Sequence, residues 1–341
     1  MSKKQRRAYK TAESQSKKAA SFIEFSDPEP VSAWGSYNGV LWSGYDGYYL
    51  PPIERKDLAV LANIATYHGS VIRARVNMVM AGFQGGGGLS YSDMSAAVMN
   101  LLIFGDVGLL KVRNRLRRVN RLHVLPSLYL RRKMDMSTVI TQVGQENKSY
   151  AVNEVIFIAQ YDAQQQVYGV PDYIHGMESA MLNVDATRFR RRYYKNGAHL
   201  GYILYSTDPD MSPELEAEFR KKIEASKGAG NFKSMFINIP GGDKEGVKVI
   251  PIGDSGTKDE FSNIKNVSAQ DQLTAHRFPP GLAGIIPSNA GGLGDPLKSR
   301  EAYYRDEVIP LRRLIMDGIN SDPEIGHVGA VKFDLTFDEV A

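Results

Sequence analysis

The sequence predicts an α+β fold, in which strands and helices occupy separate stretches of the chain. Short strand-like runs bounded by turn residues follow one another at about 107–113, 119–125, 128–132, 137–143 and 154–160. Helical periodicity then extends over 168–198 and again over about 298–320. A run of strands followed by long helices is typical of α+β proteins.

The composition limits the class of protein. The 341 residues include 42 Lys and Arg against 38 Asp and Glu, a net charge of +4, and no cysteine. Disulfides, thiolate nucleophiles and cysteine-based zinc sites are therefore excluded. We expect no membrane contact, because no apolar run reaches the length of about 18 residues that spans a bilayer. Residues 1–30 are rich in Lys, Ser and Ala, and we expect them to form a disordered basic arm.

The first folded part, 31–119, opens with an aromatic stretch and continues with helices. One helix follows Pro51-Pro52, and a second follows Gly69 and continues to Met80. Ser90 and Asp93 have the spacing of a capping box for a helix that ends near Phe104. We expect the four glycines at 85–88 to form a flexible linker.

Basic residues alternate in the segment that follows. Lys111, Arg113, Arg115 and Arg117 are two residues apart, which on a strand places them on one face. Such a row protects an edge strand from aggregation, and it also suits contact with nucleic acid or an acidic partner. We favour protection slightly.

The stretch 168–198 predicts one long helix with two apolar stripes. The first stripe contains Ile174, Met177, Met181 and Val184, and the second contains Leu182, Ala186, Phe189 and Tyr193. Two separate stripes predict packing on both sides. The end of the helix is basic at Arg188, Arg192 and Lys195. These three side chains either face water or lie near phosphate, and the sequence leaves both interpretations open.

The second half of the chain is predicted to contain both strands and helices. We expect a strand at 200–205, a helix from Ser212, and a hairpin formed by 233–239 and 247–252. Ser268 and Asp271 predict the start of a helix that ends at Phe278. A long loop covers 279–296, a helix kinked at Pro310 covers 298–320, and a closing strand covers 331–337.

The search for catalytic motifs finds no phosphate-binding loop and no His-Glu-x-x-His. The histidines are scattered without the spacing of metal ligands. We therefore predict no catalytic residue, no metal and no cofactor. A metal-dependent nuclease built from distant acids, such as Asp259 and Asp271, stays an alternative.

Four stretches together resemble one known family. They are FGDVGLLKVRN (104–114), YGVPDYIHGMESAML and RRRYYKNGA within 168–198, AHRFPPGLAGIIPSNAGGLGD (275–295) and EVIPLRRL (307–314). The chain resembles the portal proteins, or head–tail connectors, of tailed bacteriophages, and especially the short portals of temperate contractile-tailed phages. It departs from the family at Gly105-Asp106-Val107-Gly108, where Gly-Asn-Ala-Tyr is usual, and at the four glycines 85–88.

The resemblance implies a portal fold with a wing, a long stem helix, a small β-rich clip and a minimal crown. We expect the wing in 31–119 and 199–264, the clip in 120–160 and the stem helix in 168–198. The channel loop and kinked helix would lie in 265–320, and a C-terminal strand in 321–341.

The resemblance also implies a function without enzymatic activity. The chain would form a ring, usually dodecameric, at one capsid vertex, in a virion assembled in the host cytoplasm. Double-stranded DNA would pass through it during packaging and ejection, and the partners would be terminase, the major capsid protein and head-completion or neck proteins. The alternative within structural proteins is a capsid or baseplate ring that does not contact DNA.

Two sets of residues follow as candidates for these roles. Candidates for the DNA channel are Arg188, Arg192, Lys195, Asn289, Arg312 and Arg313. Candidates for partner contacts in the clip are Arg113, Arg115, Arg117, Arg131 and Arg132.

Overall fold

A computed structural model describes residues 39–141, 146–195, 202–206, 217, 235–238, 247–251, 257–283 and 295–336. The predicted basic arm 1–30, most of the helix predicted from Ser212 and the part of the loop that contains Asn289 lie outside these residues.

Helices and strands are numbered here along the described part of the chain. The helices are α1 (Arg55–Ile64), α2 (Thr66–Met80), α3 (Tyr91–Phe104), α4 (Met177–Lys195), α5 (Thr257–Ala275), α6 (Pro296–Tyr303) and α7 (Ile309–Asn320). The strands are β1 (Leu41–Ser43), β2 (Tyr48–Leu50), β3 (Phe83–Gly85), β4 (Asp106–Arg113), β5 (Val119–Val124), β6 (Leu130–Arg132), β7 (Thr138–Ile140), β8 (Lys148–Tyr150), β9 (Val155–Ala159), β10 (Tyr202–Ser206), β11 (Met235–Asn238), β12 (Val247–Pro251) and β13 (Lys332–Phe333). A π-helical segment, Tyr304–Val308, joins α6 to α7.

The described strands form four sheets. An antiparallel sheet has the order β1-β2-β6-β7-β8, and a second has the order β5-β4-β9. Strand β13, which lies late in the sequence, pairs with β3 from the first part of the chain. The last sheet has the order β11-β10-β12, and its strands all come from the chain between α4 and α5.

The core lies where the first helices pack on the β5-β4-β9 sheet. Helix α3 buries Met94, Val98, Leu101 and Leu102, which recur at helical spacing. A second apolar cluster joins the β1-β2-β6-β7-β8 and β5-β4-β9 sheets to the segment before α4. Its members are Leu125, Leu130, Ile140, Val155, Val167 and Tyr168. These two contact regions hold α1–α3 and β1–β9 together as one unit, which we call the body, and α4 follows this unit along the chain.

The capping box of α3 is confirmed. Ser90 accepts from the backbone N–H of Asp93, and the Asp93 carboxylate accepts from the backbone N–H of Ser90. Helix α1 follows Pro51-Pro52 as predicted, and α2 begins at Thr66, three residues before the predicted Gly69.

The four glycines 85–88 are packed rather than a flexible linker. All four have positive φ, and Gly85 ends β3. A Cβ on Gly86 would lie 2.1 Å from the carbonyl oxygen of Ala330, and one on Gly88 would lie 2.8 Å from Cβ of Arg121. The run is therefore a tight connection that other residues would strain or obstruct.

The segment 120–160 does not separate from the chain before it. Strand β5 pairs with β4, and β6 pairs with β2. A boundary at residue 120 would therefore divide two sheets, so the structure gives no support for a separate clip at 120–160.

Two other expectations in the second half are wrong. The strands predicted as a hairpin, β11 and β12, do not pair with each other, because β10 lies between them. Ser268 does not begin a helix, since α5 is continuous from Thr257 to Ala275. Its hydroxyl instead donates to the carbonyl oxygen of Ile264, 2.6 Å away.

The predicted long helix begins at Met177 and not at residue 168. The residues before it form a buried connection in which a Cβ on Gly169 would lie 1.9 Å from the carbonyl oxygen of Gly105. The helix predicted to kink at Pro310 changes its hydrogen-bond pattern close to this residue, because a π-helical segment ends two residues before the proline. The closing strand is shorter than predicted and contains only Lys332 and Phe333.

Candidate functional site

Helices α4 and α5 form an antiparallel pair that defines the first part of the candidate site. Gly176, just before α4, lets the backbones approach closely, since a Cβ there would lie 2.3 Å from Cβ of Ala275. The amide of Asn183 donates to Ser268 Oγ at 2.8 Å and to the carbonyl oxygen of Lys265 at 3.2 Å. The pair is therefore held by buried polar contacts as well as by packing.

The helix pair has an outer face on which three large apolar side chains are exposed to solvent. On α4, Asn183 and Val184 are buried, but the neighbouring Leu182 is 52% exposed. On α5, Ser268 and Ala269 are buried, whereas Val267 is 59% exposed. Ile264, one turn from Val267, is 36% exposed. This outer face consists of Leu182, Ile264 and Val267, and it contains part of the second stripe predicted from the sequence.

A buried polar junction lies at the base of the helix pair. Arg75 of α2 binds the carboxylate of Asp172 through two hydrogen bonds of 3.0 and 2.7 Å. Its Nη1 also donates to Nδ1 of His276 at 3.2 Å, and Nε2 of His276 lies 2.9 Å from Nδ1 of His68. Gln272 of α5 accepts from the backbone N–H of His68.

These contacts fix the proton positions on both histidines. Because the guanidinium of Arg75 can only donate, Nδ1 of His276 must accept, and its proton lies on Nε2. His276 then donates to Nδ1 of His68, so the proton of His68 lies on its Nε2. Burial first, and then the charge of Arg75, lower the pKa of His68 to about 4 and that of His276 to about 2. Both imidazoles are neutral at pH 7.

Arg277 extends the junction to the helix break. Its Nε and Nη2 donate to the carboxylate of Glu307 at 2.5 and 2.8 Å, and Nη2 also donates to Asp172 at 2.8 Å. The hydrogen bonds to Glu307 raise the pKa of Arg277 above its usual range. Burial raises the pKa of Asp172, but the bonds and charge of Arg75 outweigh this and leave it below its usual range.

Of the channel candidates, the structure describes the side chains of Arg188, Arg312 and Arg313. Arg188 is exposed on α4 and lies 3.4 Å from Asp185. Arg192 and Lys195 lie in α4, but their side chains are outside the described set, as is all of Asn289. Arg313 is exposed on α7.

The structure contradicts Arg312 as a channel residue, because its side chain is 1% exposed. Its guanidinium donates to the carbonyl oxygens of Val79, Met78 and Asp334, and it also contacts the Tyr304 hydroxyl. It stacks over the ring of Tyr304 at 4.8 Å. Arg312 therefore holds α7 against the end of α2 and has no surface left for DNA.

The prediction that Lys111, Arg113, Arg115 and Arg117 lie on one face of a strand is wrong. Lys111 is buried and forms ion pairs with Asp322 and Glu324, and Arg113 binds Glu324 at 2.5 Å. The hydrogen bonds from Arg113, and to a smaller extent the one from Lys111, lower the pKa of Glu324 to about 2. The strand ends at Arg113, so Arg115 and Arg117 lie in the turn that follows and are exposed.

Arg131 and Arg132 are half-buried and engaged within the chain. Arg131 donates to the carbonyl oxygens of Leu128 and Leu130. Arg132 donates to Thr138 and lies over the ring of Phe157 at 4.3 Å. Burial lowers the pKa of both guanidinium groups.

The sequence did not reveal the polar junction. His68 and His276 are 208 residues apart, and Arg277 and Glu307 are 30 apart. No local pattern relates them, although His276 precedes the long loop. The described residues contain no group of three or more His, Asp or Glu that could hold a metal, and none of their helices is long and apolar enough to cross a membrane.

Solved structures with the same fold come from the particles of tailed phages and their relatives. The neck of a native gene transfer agent particle, computed with C12 symmetry, has a TM-score of 0.60 at 19% identity, and the match covers 91% of this chain and 89% of that one. An HK97-family phage portal protein from Corynebacterium diphtheriae has a TM-score of 0.57 at 15% identity, covering 80% and 93%. These likenesses show the fold of a portal protein, and they confirm the predicted α+β class.

The sequence relatives establish the family. The family model described as phage portal protein matches residues 90–338. The probable portal protein of Haemophilus phage HP1 (strain HP1c1) is 55% identical over 303 residues, covering 87% of this chain and 88% of that protein. The probable portal protein of Escherichia phage P2 is 38% identical over 272 residues, covering 79% of each. This chain belongs to the phage portal protein family, which is a family of structural components of the virion.

Proposed function

We propose that this chain is one subunit of a closed ring, usually of twelve copies, whose channel conducts double-stranded DNA at a capsid vertex. The observation that carries the proposal is the outer face of the α4–α5 pair. The three exposed apolar side chains Leu182, Ile264 and Val267 lie on helices that are joined to each other by buried polar contacts. A neighbouring copy would cover this apolar surface. The C12 symmetry of the related neck structure supports such a ring.

The same geometry supports a revised assignment of the parts. The α4–α5 pair would be the stem, and the β11-β10-β12 sheet, which lies between these helices in sequence, would be the clip. The body that holds β1–β9 and α1–α3 would be the wing. This assignment replaces the clip proposed at 120–160, because the strands there complete sheets of the body.

Contact with DNA would come from exposed cations that a ring repeats around its axis. Arg188 on the stem is accessible, and Arg192 and Lys195 continue the same helix. Few contacts per copy suit a conduit, because each phosphate contact adds affinity and salt dependence and would slow sliding. Terminase, the major capsid protein and head-completion or neck proteins are the proposed partners, with Arg115 and Arg117 as exposed candidates for acidic surfaces.

We also propose that the chain has no enzymatic activity of its own. Asp271, a candidate for a nuclease site, accepts a hydrogen bond from Ser179 at 3.0 Å and so joins the two stem helices. Incubation of purified protein with DNA and Mg²⁺ or Mn²⁺ should leave the DNA intact. Cleavage that disappears in Asp271→Asn or Asp259→Asn would contradict this.

Substitutions on the outer face test the ring. Leu182→Asp and Val267→Asp place a charge where a neighbour would pack, so both should keep the fold and lose assembly, measured by mass photometry and circular dichroism. Val60→Asp is the matched control, because Val60 is 45% exposed on α1 of the body. Assembly unaffected by Leu182→Asp and Val267→Asp would contradict the proposed interface.

DNA contact is tested separately in packaged particles. A photo-crosslinking residue at Arg188 should capture DNA, and one at Val60 should not. Capture from neither position would favour a ring that does not contact DNA with its stem.

A further inference from the structure

The helix of α6 and α7 is interrupted at a defined place. The backbone N–H of Ile309 bonds to the carbonyl oxygen of Tyr304, five residues back, which is the π-helical pattern. Pro310 follows immediately and has no N–H to give to Asp306, so the regular ladder is already weakened here. A π-helical turn contains an extra residue, so a change to α-helical register would rotate the preceding helix by about 100°.

The two sides of the break differ in how firmly they are packed. Helix α7 buries Leu311, Arg312, Ile315 and Ile319, whereas α6 buries only Tyr303. Segments with few buried contacts open at low free energy. Helix α6 is therefore the side that can move, while α7 stays with the body.

Arg277 ties the π-helical segment to a residue outside the helix. It follows α5 with a φ of 51°, which is uncommon for a residue other than glycine. Its guanidinium binds both carboxylate oxygens of Glu307, inside the π-helical segment, and one oxygen of Asp172. Asp172 is in turn bound by the buried Arg75, so Glu307 is tied to a fixed point of the body.

We propose that Arg277 is a latch that sets the register of the helix break. While it holds Glu307 against Asp172, the segment Tyr304–Val308 stays π-helical and α6 keeps one orientation. When it releases Glu307, the break can take α-helical register and α6 rotates. A cavity of about 400 Å³ borders Glu307 and Asp172 on one side and Pro310 on the other, so water and ions can reach the carboxylates that Arg277 binds.

Ionic strength should act on this latch. Arg277 is 46% exposed, so its bonds to the two carboxylates are accessible to salt. Charges near solvent are screened within about 8–10 Å at physiological ionic strength, and more strongly at higher salt. This inference concerns the single chain and is independent of whether the ring forms.

Hydrogen exchange measured by mass spectrometry on the full chain tests the latch. In Arg277→Gln and Glu307→Gln, amides of 296–309 should exchange roughly fivefold to tenfold faster than in the unchanged chain, because a bidentate charged contact is lost. Glu301→Gln is the matched control, since it removes the partly exposed Glu301–Arg305 pair of 2.5 Å, which joins α6 to the π-helical segment but does not tie the segment to Arg277 or Asp172. This control should leave the exchange of 304–309 unchanged.

Salt provides a second readout that overall stability would not reproduce. High salt should accelerate exchange at 304–309 in the unchanged chain and have little effect in Glu307→Gln. Equal exchange in Glu307→Gln and Glu301→Gln would overturn the latch. So would an acceleration spread evenly over α2, α5 and α7, because Arg277 would then support the fold as a whole.

Discussion

Asp106 is buried, and it lies in the stretch 105–108, where the sequence departs from the pattern that the resemblance predicts. Its side chain is 0% exposed, and its carboxylate accepts from Arg55 at 2.8 and 2.6 Å and from the backbone N–H of Gly169 at 3.2 Å. Arg55 is 2% exposed and also donates to the carbonyl oxygen of Ser127. The departure from the family pattern is therefore matched by a buried cation.

The pair gives a prediction at the level of the residue. Asp106→Ala leaves Arg55 buried without its counter-ion and should lower the free energy of unfolding by about 3–5 kcal/mol. The measurement is urea unfolding followed by circular dichroism. Asp185→Ala, which breaks the exposed pair with Arg188, should leave the midpoint nearly unchanged. Similar effects of the two substitutions would contradict this role of Asp106.

The two buried histidines predict a pH dependence. His68 and His276 are neutral in the fold because their pKa values are lowered to about 4 and about 2, while an unfolded histidine titrates near 6.5. Between these values the unfolded chain binds more protons, so the free energy of unfolding should fall as the pH falls from about 6.5 to about 4. Arg75 faces both rings and stays charged throughout.

His68→Gln isolates the contribution of one imidazole. The glutamine cannot take a proton, so the free energy of unfolding should depend less steeply on pH over the range of about 4 to 6.5. The carboxylates with lowered pKa, which are Asp93, Asp135, Asp172, Glu324 and Asp334, add to the slope only below about pH 5. They are unchanged in the variant, so their contribution is common to both proteins. An identical slope in both proteins, measured by urea unfolding at a series of pH values, would show that folding does not lower the pKa of His68 and would contradict the prediction.

At the level of the element, the four glycines 85–88 show what a local pattern leaves out. Composition alone suggested flexibility, yet each glycine has positive φ and three of them approach other atoms closely. Gly85→Ala meets no atom within 4 Å and should cost about 1–2 kcal/mol through the backbone conformation.

Gly86→Ala adds a steric conflict to the same strain, because its Cβ would lie 2.1 Å from the carbonyl oxygen of Ala330. It should lower the free energy of unfolding by more than Gly85→Ala does, as measured by thermal or urea unfolding. If both substitutions are tolerated equally, the run acts as the flexible linker that its composition suggests.

Elements were predicted well where one local pattern decides them. The capping box of Ser90 and Asp93 and the break near Pro310 depend on neighbouring residues, and both are present. Ser268 with Asp271 has the same local pattern, but packing against Asn183 extends the helix through it. Sheet order was not predictable, because β10 pairs with strands that lie far from it in sequence.

At the level of the whole molecule, one part of the candidate site follows from a local sequence pattern, and the other part depends on the fold. The two stripes predicted on α4 follow from periodicity, and the exposed Leu182 belongs to the second stripe. The junction of His68, Arg75, Asp172, His276 and Arg277 joins three separate stretches, and only the folded chain brings them together. Arg312 was misjudged because sequence does not distinguish a buried arginine bound to carbonyl groups from an exposed one.

The ring is the central claim of the account, and it is tested most directly by imaging. Purified full-length protein should be examined by negative-stain electron microscopy over a range of concentrations, beside Leu182→Asp. We predict closed rings with the twelvefold symmetry of the related neck structure for the unchanged chain, and single subunits for the variant. Unchanged protein that stays a single subunit at every concentration, or rings that persist in Leu182→Asp, would contradict the account.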